Sequence, residues 1–442
     1  MDWPKNEIPY RQGLGFAMIP IGSLISLIIV MWKFSHSRRR ALLILADVLT
    51  IIGAVLTTFD IFSIFLIGRL FLGLSAGINA LIAPIYLREL SPKEISGKMC
   101  SSCGIGASTG KFLGFVLAFG LPIPPDSKNI YCKFMYFFPV FFSAARIIFL
   151  CFFFQFETAK YYLLNRKPQK AKELINFIFK TEYAEEALES VVDEVSNQKT
   201  ITLETLKTSF PMQMIICTML VALMQLTGLH TLTAYSTAIL TGSLVNETLN
   251  ANQLHYVNVI NFWMGIIRIV ASSFAGFLLD KVGRRGLLIL GPAIQAGSLI
   301  ILAISTQIHS MQLGGAMILV FSIGVPIGFG TTAPVYLSEL LPAKGCSFML
   351  LIDNSMNLLL NSTFPLLVSI EGFGFAGTLY LMSGITIVGV IAIMKLVVET
   401  KGLSMRGIYQ MFKDLRGDTS KTPMARDSEK RRLLEWSQFD DE

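Results

Sequence analysis

Ala83-Pro84-Ile85-Tyr86-Leu87-Arg88-Glu89-Leu90-Ser91-Pro92 returns 250 positions later as Ala333-Pro334-Val335-Tyr336-Leu337-Ser338-Glu339-Leu340-Leu341-Pro342. A second echo lies 245 positions apart, where Arg39-Arg40-Ala41-Leu42-Leu43-Ile44-Leu45 matches Arg284-Arg285-Gly286-Leu287-Leu288-Ile289-Leu290. The two pairs are collinear, so one unit of about 200 residues or more occurs twice. A duplicated, strongly apolar half is the pattern of a transporter that rocks two helical bundles about a central site.

Composition supports a membrane setting. Hydrophobic residues make up 53% of the 442 and charged residues 15%, with a mean hydropathy of +0.59. Apolar segments near the ~20 residues that cross a bilayer occupy 13–32, 41–59, 61–87, 99–120, 135–154, 212–240, 256–279, 286–306, 313–337, 347–370 and 375–398. The +7 net charge belongs mainly to loops and tail, so lipid and a small solute are the expected partners and nucleic acid is not. The six cysteines are scattered, and Cys100-x-x-Cys103 has no second pair. No metal cluster, catalytic nucleophile or phosphate-cradling loop stands out, so neither an enzyme nor a cofactor is expected.

A charged stretch, 157–206, is too polar to enter the bilayer and divides the spans five before six. Six spans separate the members of each echo, which puts both copies on one membrane face. The expected organisation is a bundle over 1–155, a helical linker over 156–211, a second bundle over 212–398 and a tail over 399–442. Short loops on the echo face carry Lys33, Arg38, Arg40, Lys98, Lys281 and Lys344 among their cations, which predicts that this face, the linker and the tail are cytosolic. Asn246-Glu247-Thr248 then falls on an outer loop as a glycosylation acceptor. Asn361-Ser362-Thr363 also matches but lies within a span, where chance is the better reading. Glu429-x-x-x-Leu433-Leu434 fits an acidic dileucine sorting pattern, so an endosomal or lysosomal location stands beside the plasma membrane.

The chain resembles the sugar porter family of the major facilitator superfamily, in particular insect facilitated trehalose transporters. The residues that carry the resemblance are Gly68-Arg69, Pro84-x-Tyr86-x-x-Glu89, Gln225-Leu226-Thr227-Gly228, Asp280-x-x-Gly283-Arg284-Arg285, Tyr336-x-x-Glu339 and Glu399-Thr400-Lys401-Gly402. The resemblance implies an all-α major facilitator fold with two pseudo-symmetric bundles, eleven spans here, and a normally present opening helix that is absent. It also implies a gate on the echo face in which Arg69, Glu89, Asp280, Arg284, Arg285, Glu339 and Glu399 form acid–base sets that bridge the bundles. Ser96 and Cys346 stand where the family pattern expects arginines, and Glu157-Thr158-Ala159-Lys160 keeps only the end charges of a family signature. A looser gate follows.

The family's solute cluster maps here onto Gln225, His230, Tyr235, Arg268, Asp353, Asn354 and Asn357, and much of it has changed. The fourth-span amide falls on Gly104, a tryptophan on Pro334, and a glutamine on Met224. Arg268 stands twelve residues before Asp280, about 18 Å along a helix, and so near mid-bilayer. Asp353 is its expected partner, making either an altered site for an anionic solute or a neutralised pair that fills the old site. Lys111 and Arg146 either pair with neighbours or snorkel. Two functions are carried forward. One is facilitated diffusion of a hexose or trehalose-like sugar by alternating access. The other is an altered-substrate or non-transporting relative, acting as a sensor or arising as a truncated isoform.

Overall fold

The computed structural model describes residues 8–33, 38–91, 93–120, 130–178, 211–242, 251–341 and 343–401, with isolated positions between 184 and 192 and between 408 and 412. Asn246, the dileucine pattern and the Asp280 side chain lie outside the described residues. The first bundle contains α1 (Ile8–Lys33), α2 (Arg39–Thr57), α3 (Phe62–Leu90), α4 (Lys93–Phe119), α5 (Ile130–Phe137) and α6 (Pro139–Ile148), the last continued by a π turn, Phe149–Phe153. Pro139 splits the fifth expected span, because a proline lacks the N–H that an unbroken ladder needs. Below the bundle, α7 (Ala159–Leu164) and α8 (Pro168–Ile178) pack Leu163, Leu174 and Ile175 into a small separate core.

The second bundle contains α9 (Pro211–Leu226), α10 (Thr231–Ala234), α11 (Ser236–Thr241), α12 (Ala251–Val282), α13 (Arg284–Gln307), α14 (Met311–Val325), α15 (Thr332–Leu340), α16 (Ala343–Ser369) and α17 (Gly374–Leu396). Two of its expected spans are interrupted. Gly228, at φ +82°, breaks 212–240, and a π turn at Pro326–Gly330 breaks 313–337. Among the described residues, ten stretches are long and apolar enough to cross a bilayer. The remaining expected span, 347–370 on α16, matches them in length but carries Asp353, Asn354, Asn357 and Asn361, which lower its hydropathy.

Small residues set the packing within each bundle. A Cβ at Gly22 or Gly73 would collide with the backbone of the facing helix, so α1 and α3 touch main chain to main chain; Gly291 does the same for α13 against the π turn. Between bundles, α1 packs on α16 and α4 on α12. These two contacts exchange under a twofold that carries the first unit onto the second, the arrangement that an ancestral duplication requires.

An ion pair between a buried Asp47 carboxylate and a partly exposed Arg146 braces the first bundle. Arg146 donates from Nε to Asp47 Oδ2 at 2.7 Å and from Nη2 to Asn79 Oδ1 at 2.8 Å, tying α6 to α2 and α3. Arg146 therefore pairs rather than snorkels. Asp47→Leu removes the carboxylate and leaves a cation that is 36% exposed, at a cost on the order of 1–2 kcal/mol once that exposure is allowed for. The detergent-purified variant is expected to melt several degrees lower by intrinsic fluorescence, and an unchanged melting temperature would show that the pair contributes nothing.

Candidate functional site

The break after α9 turns the chain so that Gln225, Thr231 and Tyr235 meet one face of α16. Gln225 Nε2 donates to Asp353 Oδ1 at 2.6 Å, and Asn357 Nδ2 donates to Gln225 Oε1 at 3.4 Å. Asn361 Nδ2 donates to Asn357 Oδ1 at 2.9 Å, Thr231 Oγ1 to Asn361 Oδ1 at 3.2 Å, and Tyr235 OH to the Asn361 carbonyl at 3.0 Å. The four-residue spacing of Asp353, Asn357 and Asn361 stacks them on one helix face. They stand about 15–27 Å from the α16 start, within the middle of the membrane. The Tyr235 ring stacks on Phe364, with centroids 4.7 Å apart. This ladder of amides and hydroxyls offers donors and acceptors in alternation, as a polyhydroxylated solute requires when it leaves water.

Asn354 stands apart from the ladder. One residue round from Asp353, it faces α1 and accepts from Ser23 Oγ at 2.9 Å, so it ties the bundles together outside the ladder. Asn361 and Thr231 join the ladder without having been expected. The signal for Asn361 was its four-residue spacing from Asn357.

The expected Arg268–Asp353 pair does not form. Asp353 is engaged by Gln225, whereas Arg268 lies on α12, which packs against α4 and not against the ladder face of α16. Arg268 is 2% exposed, and its Nε, Nη1 and Nη2 have no hydrogen-bond partner among the described residues. An arginine at this depth costs roughly 2.5–3.5 kcal/mol on insertion scales. Its charge interacts with that of Lys111 on α4, and both cations act on His230, which sits in the turn beside Thr231.

A cavity of about 350 Å³ lies between the bundles. It runs from Arg88, Ser338 and Cys346, near the echo-face helix ends, to Gly104, Pro334 and Asp353 within the membrane. Gly104, Met224 and Pro334, onto which the resemblance maps solute-binding residues of other types, line it. Of the seven expected site residues only Asp353 reaches this wall.

At the echo face, the two halves build the same network twice. Arg39 Nε lies 3.4 Å from Glu89, and Arg284 Nη2 lies 2.7 Å from Glu339. The Arg40 N–H donates to Glu157 at 3.3 Å, and the Arg285 N–H to Glu399 at 3.0 Å. Arg40 Nε reaches the Leu150 carbonyl, and Arg285 Nη2 that of Met394. Tyr86 OH donates to the Phe156 carbonyl at 2.7 Å, and Tyr336 OH to that of Val398 at 3.1 Å. The two bundles thus carry equivalent charges at equivalent places. Every one of these contacts is internal to its half, and no ion pair joins the bundles among the described residues.

Glu157 and Glu399 titrate in opposite directions despite this equivalence. Burial raises the Glu157 carboxyl, outweighing the backbone N–H groups of Arg40 and Ala41. Burial also acts upward on Glu399, but the N–H groups of Arg284, Lys401, Arg285 and Thr400 together hold it below the ordinary glutamate range. Glu157-Thr158-Ala159-Lys160 does more than its degenerate sequence suggested. Thr158 accepts from the Tyr161 N–H at 3.2 Å to cap α7, and Lys160 approaches Glu89 at 4.0 Å.

Arg69 does not belong to the gate. Its side chain lies over the Phe65 ring at 4.9 Å, twenty residues before Glu89 on the same helix. That spacing is about 30 Å, so Arg69 braces the opposite end of the bundle.

The family model "Sugar (and other) transporter" matches residues 2–412. Hexose transporter 1 of Plasmodium vivax (strain Brazil I) is 24% identical over 360 residues, covering 77% of this chain and 70% of its own length. The probable metabolite transport protein CsbC of Bacillus subtilis is 24% identical over 425 residues, covering 92% of this chain and 88% of its own. Among solved structures, the proton:xylose symporter XylE bound to 6-bromo-6-deoxy-D-glucose superposes with a TM-score of 0.78 at 18% identity. That match covers 93% of this chain and 91% of XylE.

Proposed function

The chain belongs to the sugar (and other) transporter family, and on that premise we propose that it carries a sugar, a hexose or a trehalose-like disaccharide, by facilitated diffusion. The observation that carries this reading is the continuous ladder from Asp353 through Gln225, Asn357 and Asn361 to Thr231, at the inner end of a cavity between two equivalent bundles. Alternating access follows from the same geometry. The cavity leads to the echo face while each salt-bridge network stays closed within its own bundle, so the bundles are free to tilt about the α1–α16 and α4–α12 contacts. With its cationic loops the echo face is cytosolic, which makes this an inward-facing state and puts α7 and α8 on the cytosolic side. Gln225, Tyr235, Asp353 and Asn357 bind the solute, with Asn361 and Thr231 beside them.

Purified protein in proteoliposomes is expected to take up labelled glucose or trehalose saturably, at a rate indifferent to an imposed pH gradient. A rate that follows the gradient would replace diffusion by proton coupling, and no uptake of these sugars or of their anionic derivatives would favour a non-transporting relative. Cys346 supplies a conformational reading of the same system. Its thiol borders the cavity and lies 3.4 Å from the Leu341 carbonyl. With the other cysteines replaced, a maleimide is expected to label Cys346 several-fold more slowly once sugar populates the outward-facing state. Equal rates with and without sugar would count against movement at this helix end.

A further inference from the structure

Arg268 and Lys111 stand at the same level of the α4–α12 contact. The register is fixed by Ser108 Oγ against Ser272 Oγ at 2.9 Å and by Phe112 packed on Gly265, which brackets both cations at one height. No salt bridge gives either one a carboxylate among the described residues. The first bundle handles the same problem differently, since its membrane-embedded Arg146 is paired with Asp47 at 2.6 Å. Two cations at one level repel, and an arginine with three buried nitrogens and no acceptor is a site waiting for an anion. The cavity's lining ends about two helical turns short of Lys111 on the same helix. Gly104 lines the cavity, and Ser108 and Lys111 follow it at successive turns of α4. His230 adds a third nitrogen base and is joined through Thr231 to the ladder.

We propose that the carried solute is an anionic sugar, its oxyanion held between Arg268 and Lys111 and its hydroxyls exchanged onto the amide ladder. This rests on the carrier reading above and narrows its substrate class. Carboxylate and phosphate share the recognising chemistry, a planar or tetrahedral oxyanion that accepts from a guanidinium fork and an ammonium.

Proteoliposomes containing the full chain are tested with D-glucuronate, D-glucose 6-phosphate and D-glucose. At least one of the two anions is expected to enter at least tenfold more efficiently than glucose, and the arm that succeeds identifies carboxylate or phosphate. Arg268→Gln is expected to lower the anion-to-glucose ratio at least tenfold, and Lys111→Gln to lower it in the same direction. Uptake of glucose with both anions ignored would overturn the anion assignment and leave sugar carriage intact. An unchanged ratio in Arg268→Gln would also overturn it. If none of the three enters, the carrier reading fails and melting decides the site. A rise in melting temperature with an anion, lost in Arg268→Gln or Lys111→Gln, supports it, and no rise in the parent protein contradicts it.

Discussion

Gln225→Leu is expected to lower solute transport about 100-fold, equivalent to ~2.7 kcal/mol of lost stabilisation. Gln225 bonds in both directions across the α9–α16 contact, donating to Asp353 at 2.6 Å and accepting from Asn357 at 3.4 Å. A leucine fills similar space but answers neither neighbour, so Asp353 loses its hydrogen-bond donor and Asn357 its acceptor. A hydrogen bond to a charged group contributes about 1.5–3 kcal/mol, and an orphaned polar neighbour adds a further penalty. Initial-rate uptake across a concentration series measures the effect, with size-exclusion profile and melting temperature checked in parallel. Uptake within threefold of the parent protein would remove Gln225 from the solute pathway.

The second large effect concerns equivalent positions that should not respond equally. Glu89→Ala removes a carboxylate approached by Arg39 and Lys160, whose side chains are 1% and 3% exposed. Breaking a buried pair in this way costs about 3–5 kcal/mol, a large part of the 5–15 kcal/mol typical of a folded protein. Glu339→Ala removes the matching carboxylate from Arg284, but there the side chains are 23% and 14% exposed and solvent screens the loss. Glu89→Ala is therefore expected to yield little monodisperse protein, while Glu339→Ala folds and melts only slightly lower. Equal losses in the two variants, measured by fluorescence-detected chromatography and thermal melting, would show that burial does not govern these networks.

Much of the fold was legible because duplication and hydropathy are both one-dimensional signals. The echoes placed Arg284 and Glu339 on one face, and the same alignment also marks Arg39 and Glu89 as their counterparts. The breaks at Gly228 and Pro326 were not legible from hydropathy, since an apolar run reads alike whether or not its backbone ladder is interrupted. Arg69 was assigned to the gate by motif membership, although its distance along α3 from Glu89 already placed it at the other end. The Arg268–Asp353 pairing failed for a different reason. Which helix faces span seven is a matter of three-dimensional packing, and α4 rather than α16 supplies the neighbour. Asn361 was hidden by a competing pattern, its glycosylation-like triplet, although its spacing from Asp353 and Asn357 marked the same helix face.

The central claim is that two homologous bundles tilt against each other around one pathway. Paired spin labels test it directly, one pair at Ala41 and Val282 on the echo face and one at Phe59 and Gln307 on the opposite face. Saturating solute is expected to shorten the first distance while lengthening the second. Distances that both stay fixed, or that both change in the same sense, would contradict the account.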